Sequence, residues 1–359
     1  MGSTYGKNIK ISIFGQSHGE AIGVIVDGVK AGNKIDMDLL DKFMSRRMPT
    51  DDEFSTKRKE KDKIEFLSGL VGVTTCGAPL MAMIRNEDVH SSDYDNILDI
   101  PRPSHADYPA HIKHKGQNDK RGGGHYSARL TAPLCIVGGI AKQFLCRDGV
   151  NVYAHIQQIG SVKDDSFMNN NLSKSELEEI CSSDFPVLNK ESKEKMKAEI
   201  HNASIDGDSI GGIIECMITG VPVGLGDGMF EGIENRISQA IFAIPAVKGI
   251  EFGNGFSSAS LRGSENNDEY TIEDGKIRTS TNRNGGVVGG MSSGEAIIFR
   301  VALKPTPSIA KMQNSISLSK MTKEKLIIRG RHDACIVPRA VSIVDGVSAF
   351  VIYDMMMDY

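Results

Sequence analysis

The feature of this sequence that most constrains its fold is a short turn pattern that occurs three times. Ser17-His18-Gly19-Glu20-Ala21-Ile22 recurs as Ser292-Ser293-Gly294-Glu295-Ala296-Ile297, and residues 209–214 form a looser third copy. Each copy is a glycine-bounded turn that leads into an apolar strand. In the first and third copies a second glycine follows at the same spacing, at Gly28 and Gly220. The pattern predicts a fold that repeats a strand–turn–strand unit.

The first copy differs from the other two because His18 follows its serine. It comes after a run in which Ile9, Ile11 and Ile13 share one face, as a half-buried strand requires. A polar hairpin would explain the glycines, which recur elsewhere as scaffold. His18 and the hydroxyl of Ser17 need a separate explanation, and a ligand at the rim of a sheet provides one.

Composition and charge exclude several classes of protein. The 359 residues are 40% apolar and 25% charged, with a net charge of −4, so a nucleic-acid partner is not expected. No apolar run reaches the ~18–20 residues of a membrane span, and no secretory leader opens the chain. The six cysteines lack metal-type spacing, which predicts reduced thiols, a cytoplasmic location and no metal site.

The order of strand and helix signals predicts an α+β fold in a single large domain, residues 1–359. Helical spacing covers 36–47 and about 131–145, and strands are expected at 64–67 and 79–84. The polar stretch at about 161–203 is interpreted as a peripheral helical excursion, because a capping box at 173–176 opens a surface helix.

Four glycine-rich or basic stretches could carry chemistry, at residues 102–107, 120–129, 284–290 and 330–333. The stretch 284–290 precedes a predicted strand in which Ile297, Phe299, Val301 and Leu303 share one face, and that strand leads into the rigid loop 304–308. Three consecutive glycines among Lys and Arg, just before a helix, form an anion site, and a flexible surface loop is the alternative. Histidines fixed beside Ser, Asp or Arg suit acid–base work. These stretches together indicate a phosphorylated ligand held by cations, a second phosphate on the glycines, and imidazoles for proton transfer.

Five motifs, in order, resemble the chorismate synthase family. They are Gly15-Gln16-Ser17-His18-Gly19-Glu20, Arg102-Pro103-Ser104-His105-Ala106-Asp107, Arg121-Gly122-Gly123-Gly124 with Ser127-Ala128-Arg129, Lys304-Pro305-Thr306-Pro307-Ser308, and Gly330-Arg331-His332-Asp333. The resemblance runs from residue 15 to at least 340. Any one motif is weak evidence, but five in order are specific.

The resemblance implies a carbon–oxygen lyase of the shikimate pathway of aromatic amino acid biosynthesis. Such an enzyme removes phosphate and a proton from 5-enolpyruvylshikimate 3-phosphate by a 1,4 elimination and gives chorismate. It requires reduced FMN, which either NADPH or a separate reductase supplies with electrons. The family also implies a β-α-β sandwich core and a homotetramer.

The resemblance assigns roles to individual positions. The catalytic residues would be His18 at the flavin, His105 as the acid for the departing phosphate, and Ser17 with Asp333 as a relay for the substrate proton. FMN would contact His125, Tyr126, Ser127, Gln239, Ala240, Gly289, Lys304, Pro305, Thr306, Pro307, Ser308 and Arg331. The substrate's phosphate and carboxylates would contact Arg46, Arg47, Arg102, Arg129 and Arg339.

The sequence departs from the family pattern at several positions. Ser45 stands where the family has a further Arg, and Glu53 stands where an Arg is associated with substrate or NADPH. His125-Tyr126 replaces Arg-Ser, and Leu130 replaces Glu. These changes motivate an alternative function, an FMN-binding protein on the same scaffold without elimination activity.

Overall fold

Two five-stranded antiparallel sheets enclose a layer of helices in the computed structural model, which describes residues 2–48, 62–86, 99–328 and 333–359. The strands are β1 Thr4–Tyr5, β2 Lys10–Gly15, β3 Ala21–Asp27, β4 Ile64–Ser68, β5 Leu70–Val71, β6 Thr74–Thr75, β7 Leu80–Arg85, β8 Asn151–Ile159, β9 Val162–Lys163, β10 Gly212–Thr219, β11 Val247–Phe252, β12 Tyr270–Glu273, β13 Lys276–Thr279, β14 Val287–Val288, β15 Met291–Ser292, β16 Ile297–Leu303, β17 Gln313–Ser317 and β18 Thr322–Leu326. The helices are α1 Met37–Ser45, α2 Asp107–Lys113, α3 Thr131–Arg147, α4 Lys174–Ser182, α5 Lys190–Ile205, α6 Ile233–Ile241, α7 Gly263–Asn266 and α8 Val337–Met356.

The first sheet has the strand order β1-β2-β3-β7-β4, and the second has β11-β16-β10-β8-β9. Helices α3 and α8 pack on each other, α3 against the first sheet and α8 against the second. The residues of β16 that share the predicted apolar face, among them Phe299 and Val301, are fully buried. The prediction of an α+β fold with a sheet–helix–sheet sandwich is confirmed.

The repeated unit is also confirmed. The first turn joins β2 to β3, and the third leads into β10, which pairs with β8 as β3 pairs with β2. Gly28 and Gly220 end the two equivalent strands with φ of +95° and +80°. A Cβ at either position would lie 2.2 Å from a carbonyl oxygen, of Asn8 and of Gly149 respectively. The common spacing of these glycines therefore reflects the same close approach in both units.

Two glycines set the distance between the central helices. A Cβ on Gly138 of α3 would lie 2.3 Å from the Cα of Gly346 on α8, so the two backbones touch where they cross. Next to this crossing, the buried carboxylate of Asp345 accepts hydrogen bonds from Lys142 Nζ at 2.6 Å and Arg46 Nη1 at 2.9 Å. The buried charge of Asp345 is thus paired within the helix layer, as buried charges must be.

The polar stretch after β8 contains α4 and α5. Ser173 and Glu176 form the expected capping box at the start of α4. Apolar side chains of this stretch, including Phe167 and Leu177, pack on the outer face of the second sheet beside Tyr153. The stretch therefore covers a face of the sheet that would otherwise be exposed to water.

A buried charge cluster ties this covering segment to the sheet. His155 Nε2 on β8 lies 3.0 Å from a Glu215 carboxylate oxygen on β10, and Nδ1 lies 3.5 Å from Asp164. Glu215 also accepts hydrogen bonds from the Ser166 hydroxyl and the Phe167 amide. Burial lowers the pKa of His155, but the two carboxylates outweigh it and raise the pKa.

No helix in the described part of the chain has both the length and the apolar character to cross a bilayer. Likewise, those described residues contain no group of three or more His, Cys, Asp or Glu side chains arranged to hold a metal ion.

The His155 cluster predicts a pH-dependent contribution to stability. Because folding raises the pKa of His155, the charged imidazole stabilises the fold fully at pH values below its ordinary pKa of about 6.5. This stabilisation is lost as the pH rises through the raised pKa of the folded state. Burial raises the pKa of Asp164, but the hydrogen bonds from His155 and from the amides of Leu188 and Asn189, with the charge of His155, together lower it. The contribution of Asp164 is therefore lost only in acid. The His155→Gln variant should therefore lose most thermal stability near pH 6 and less near pH 9. A melting-temperature difference that does not change with pH would contradict this.

Candidate active site

A cavity of about 900 Å³ opens where three segments meet. They are the first turn (residues 15–20), the glycine loop (residues 121–126) and the loop after β16 (residues 304–308). Its volume lies at the upper end of the range for small-molecule sites. Most of the residues predicted from the sequence to act at one site line it: Ser17, His18, Arg47, Arg102, His105, His125, Tyr126, Ser127, Arg129, Lys304, Thr306, Pro307, Ser308, Asp333 and Arg339.

Five predicted site residues lie outside this lining, namely Arg46, Pro305, Gln239, Ala240 and Gly289. Arg46 turns into the helix layer and pairs with Asp345, so the geometry gives it a structural partner. Gln239 and Ala240 belong to α6, and Gly289 lies in the turn between β14 and β15, next to the start of α6. Arg331, the further predicted flavin contact, and Glu53 fall outside the described residues.

The three consecutive glycines pass directly over the two candidate catalytic histidines. A Cβ on Gly122 would lie 2.2 Å from His18 Cε1, and one on Gly123 would lie 3.2 Å from His105 Cε1. Both glycines have left-handed backbone, with φ of +58° and +86°. Only glycine meets both requirements, so the loop brings the two imidazoles to one wall of the cavity.

The first turn is fixed to this loop by its backbone. The amide of Ser17 donates to the Gly124 carbonyl at 3.1 Å, and the Ser17 hydroxyl lies 3.2 Å from His18 Nδ1. The Asn86 side chain donates to the carbonyls of Gln16 and Gly19, at 3.1 and 2.9 Å. Both His18 and Ser17 are buried. The turn therefore presents a hydroxyl and an imidazole in fixed positions.

Two predicted substrate arginines share one buried carboxylate. Arg47 Nη1 donates to Asp62 at 2.6 Å, and Arg129 Nη1 donates to the other carboxylate oxygen. Arg129 Nε donates to Asn86 Oδ1 at 3.2 Å, which links the cluster to the first turn. Burial lowers the pKa of Arg47 to about 10, although Asp62 opposes this shift, so Arg47 stays charged at neutral pH. The cluster of two cations and one anion retains a positive charge.

A third arginine extends this cationic end of the cavity. Arg339 donates from Nε to the Arg47 carbonyl at 2.9 Å and from Nη1 to Asp333 at 2.6 Å. Asp333 and Ser17 line the same cavity. Asp333 accepts a hydrogen bond from Arg339, and the Ser17 hydroxyl is hydrogen-bonded to His18. The predicted relay between Ser17 and Asp333 therefore has both members at the cavity wall, and it stays a prediction.

Arg102, His105 and Asp107 form one bonded unit. Asp107 accepts from Arg102 Nε at 2.7 Å and Nη2 at 2.8 Å, and it lies 2.6 Å from His105 Nδ1. Burial raises the pKa of Asp107, but the hydrogen bonds from Arg102 and His105 outweigh it and hold the pKa well below its ordinary value. Asp107 is therefore a carboxylate that faces both a cation and an imidazole.

The loop after β16 braces this unit. Lys304 Nζ donates to the Ser104 carbonyl at 2.5 Å, and Ser104 has a left-handed φ of +60°, which is costly for a residue other than glycine. The Ser308 hydroxyl accepts from Arg102 Nη1 at 3.3 Å, and the Thr306 hydroxyl donates to the Asp333 carbonyl at 3.2 Å. Burial and the nearby charge of Lys248 lower the pKa of Lys304.

His125 also lines the cavity, in the position where the resembling family has Arg. Its Nδ1 donates to the Gly15 carbonyl at 2.9 Å, and its Nε2 lies 2.9 Å from the Ser3 hydroxyl. The hydroxyl of the neighbouring Tyr126 lies at hydrogen-bond distance, 2.8 Å, from His114 Nε2. Both side chains therefore anchor the loop that follows the glycines.

The described lining carries seven Lys or Arg side chains and two carboxylates, and residues 242–247 add an apolar wall. Fixed cations stabilise a leaving phosphate, and an apolar wall suits a flat aromatic ring. With two imidazoles on one side, the cavity can bind a phosphorylated anion beside an aromatic cofactor and transfer protons.

Sequence reasoning missed two residues that organise the site. Asp62 lies at the end of a densely charged stretch, and no pattern distinguishes its carboxylate from those of Asp51 or Asp52. Asn86 directly follows β7 in a run of polar residues, and nothing in its neighbourhood predicts its contact with Gln16 in the first turn, 70 residues earlier. Asp107 stood in a recognised motif but had no role assigned.

Comparisons with known proteins agree with the geometry. A profile of the chorismate synthase family matches residues 9–357. A chorismate synthase from Korarchaeum cryptofilum is 43% identical over 360 residues, covering 99% of this chain and 98% of the relative. One from Thermococcus kodakarensis is 45% identical over 353 residues, covering 98% of this chain and 97% of the relative.

A crystal structure of chorismate synthase superimposes with a TM-score of 0.76 at 27% identity, covering 99% of this chain and 93% of that one. The match in sequence and in fold extends over nearly the whole chain. The chain belongs to the chorismate synthase family.

Proposed function

We propose that this protein removes phosphate and a proton from 5-enolpyruvylshikimate 3-phosphate and so produces chorismate. The observation that carries the proposal is the placement of His18 and His105 against consecutive glycines in a cavity with an excess of fixed cations. An anionic substrate needs those cations, and an elimination needs an acid for the departing group and an acceptor for the proton. Membership of the family supports the same reaction.

The cofactor proposed is reduced FMN, which when bound supplies electron density transiently while phosphate leaves. The cavity fits a flavin because it joins the apolar wall at 242–247 to hydrogen-bonding and cationic groups. His125 to Ser127 and the loop Lys304–Ser308 would hold it, with Arg331 as a further expected contact. His18 would face the flavin, while Arg47, Arg129 and Arg339 would bind the substrate's anionic groups.

We also propose that the protein assembles with copies of itself, in line with the homotetramer that the family implies. Tyr270, Ile272 and Ile277 lie on one face of the β12–β13 hairpin and are 74–77% exposed. Exposed apolar patches of this kind mark association surfaces. The expected flavin contacts Gln239 and Gly289 do not line the cavity of their own chain. Such a position is expected for residues that contact the flavin of a neighbouring copy.

A cytoplasmic location is proposed from cysteine chemistry. All six cysteines lie in the described segments and none of them is in a disulfide. Free thiols in this number are typical of a reducing compartment.

An anaerobic phosphate-release assay with photoreduced FMN tests the proposed reaction. The protein should release phosphate from 5-enolpyruvylshikimate 3-phosphate only when the flavin is reduced. Replacing the photoreduction with NADPH tests whether the chain reduces its own flavin. Tight FMN binding with no phosphate release and no substrate-dependent change in the flavin spectrum would instead favour an FMN-binding protein without elimination activity.

The contact between Gly122 and His18 makes a second prediction. Gly122→Ala should displace the imidazole and reduce phosphate release by at least the ~10²-fold expected for loss of an acid–base group. Gly72→Ala is the matched control, since Gly72 has nearly the same φ, +61°, with open space around it. Both variants should lose about 1–2 kcal/mol of stability from left-handed backbone. Equal activity of the two variants would argue against the role of this contact.

The assembly proposal predicts that charges on the hairpin dissociate the protein. The double variant Ile272→Asp with Ile277→Asp should give a smaller species by light scattering coupled to size exclusion. Thr271→Asp, on the opposite face of the same hairpin, serves as the control and should keep the mass of the unaltered protein. An unchanged mass for the double variant would remove this face from the interface.

A further inference from the structure

Resting on the proposed function, we infer that Asn86 is a positioning residue that joins the cationic end of the cavity to the first turn. Its side-chain amide holds both ends of the turn that presents Ser17 and His18, and Arg129 fixes the direction of that amide. Asn86 is not among the residues that line the cavity, so it acts on the reaction only through these neighbours.

The first turn is held at its two ends by the same side chain. Within the turn, the Gly19 backbone N–H donates to the Gln16 carbonyl at 3.1 Å, which makes Ser17 and His18 the two central residues. Asn86 Nδ2 donates to the Gln16 carbonyl at 3.1 Å and to the Gly19 carbonyl at 2.9 Å. Both hydrogens of the side-chain amide are thus used on the turn, one at each end.

The backbone of Asn86 is fixed to the same segment. Strands β3 and β7 pair as far as Ala21 and Arg85, and the Asn86 backbone N–H donates to the Glu20 carbonyl at 3.0 Å. The pairing therefore continues one residue beyond the two strands, and the Asn86 side chain reaches the turn from a fixed position at the end of this ladder.

Arg129 decides which way round the Asn86 side-chain amide lies. Arg129 Nε lies 3.2 Å from Asn86 Oδ1, and a guanidinium can only donate a hydrogen bond. The two carbonyls on the other side of the amide can only accept, so the orientation with Oδ1 toward Arg129 satisfies every contact. With the amide reversed, Arg129 would face a donor and the turn would face an acceptor.

Arg129 can fix this amide because it is itself held in place. Its Nη1 donates to the Asp62 carboxylate, its backbone N–H donates to the Ser127 hydroxyl at 3.3 Å, and its side chain is only 6% exposed. The Asp62 carboxylate also accepts from Arg47 Nη1 at 2.6 Å. A continuous series of contacts therefore runs from the cations at the cavity wall, through Asn86, to the first turn.

In the proposed reaction this series of contacts sets the distance between the substrate's anionic groups and the first turn. Arg47 and Arg129 bind those groups, while Ser17 and His18 lie on the turn that Asn86 holds. A misplacement of about 1 Å in a reacting group can cost ~10²-fold in rate. We therefore expect Asn86 to affect the turnover rate more than the affinity for the substrate.

Hydrogen–deuterium exchange of the unliganded protein, followed by mass spectrometry of a peptide that spans the first turn, tests the inference without turnover. Asn86→Ala should speed exchange of the amides of residues 17–19 by about tenfold, because the turn loses a bond at each end. Arg129→Lys keeps the charge but lacks the Nε donor, and it should speed the same exchange by about threefold. In combination with Asn86→Ala, Arg129→Lys should add nothing, because it acts through Asn86.

Three further variants make the comparison specific. Asn86→Asp keeps an acceptor toward Arg129 but has no hydrogen to donate to the turn, so it should speed exchange as much as Asn86→Ala. Asn282→Ala is a control that removes a comparable side-chain bond to a carbonyl beside the second copy of the turn. Arg85→Lys is the control for Arg129, since Arg85 pairs with a carboxylate next to Asn86. Neither control should change the exchange of the first turn.

Phosphate release supplies the second readout, at a temperature where the melting curve shows each variant to be folded. Asn86→Ala should lower kcat by about 10²-fold and change the KM by less than threefold, since Asp62 still holds Arg129. Unchanged first-turn exchange in Asn86→Ala or Arg129→Lys, or a larger effect of Asn86→Ala on KM than on kcat, would overturn the inference. If the unaltered protein releases no phosphate, the proposed function fails, while the exchange rates still decide the role of Asn86.

Discussion

The site depends on the close passage of the glycine loop over two histidines. Gly122 leaves no room for a Cβ beside His18, and Gly123 lies against His105. The loop is fixed at its end by the bond from the Ser17 amide to the Gly124 carbonyl. Since the first turn and the segment that carries His105 are far apart in sequence, this loop sets the distance between the two imidazoles.

Carboxylate side chains hold the cationic side chains of the cavity in fixed positions. Arg47 and Arg129 share Asp62, and Arg339 pairs with Asp333. Each pairing fixes the position of an arginine at the cavity wall. Preorganised cations of this kind need little rearrangement when charge moves during a reaction, which is the main electrostatic source of catalysis.

Local sequence patterns predicted the helices and strands in which apolar and polar residues alternate with a regular period. The helix over 36–47 is α1, with Asp36 as its N-cap, and the alternating residues of β16 are buried as expected. The 20-residue helix α8 was not predicted, because it is buried almost all round and therefore shows no amphipathic period. The carboxylates of Asp62 and Asp345 were missed for a related reason, since their partners come from distant segments that only the fold brings together.

A crystal structure with oxidised FMN and 5-enolpyruvylshikimate 3-phosphate tests the central claim most directly. The substrate phosphate should lie within hydrogen-bond distance, about 3 Å, of His105 Nε2, with Nδ1 still on Asp107, and the flavin ring should lie beside His18. A phosphate bound at another end of the cavity, away from both His105 and the glycine loop, would contradict the account.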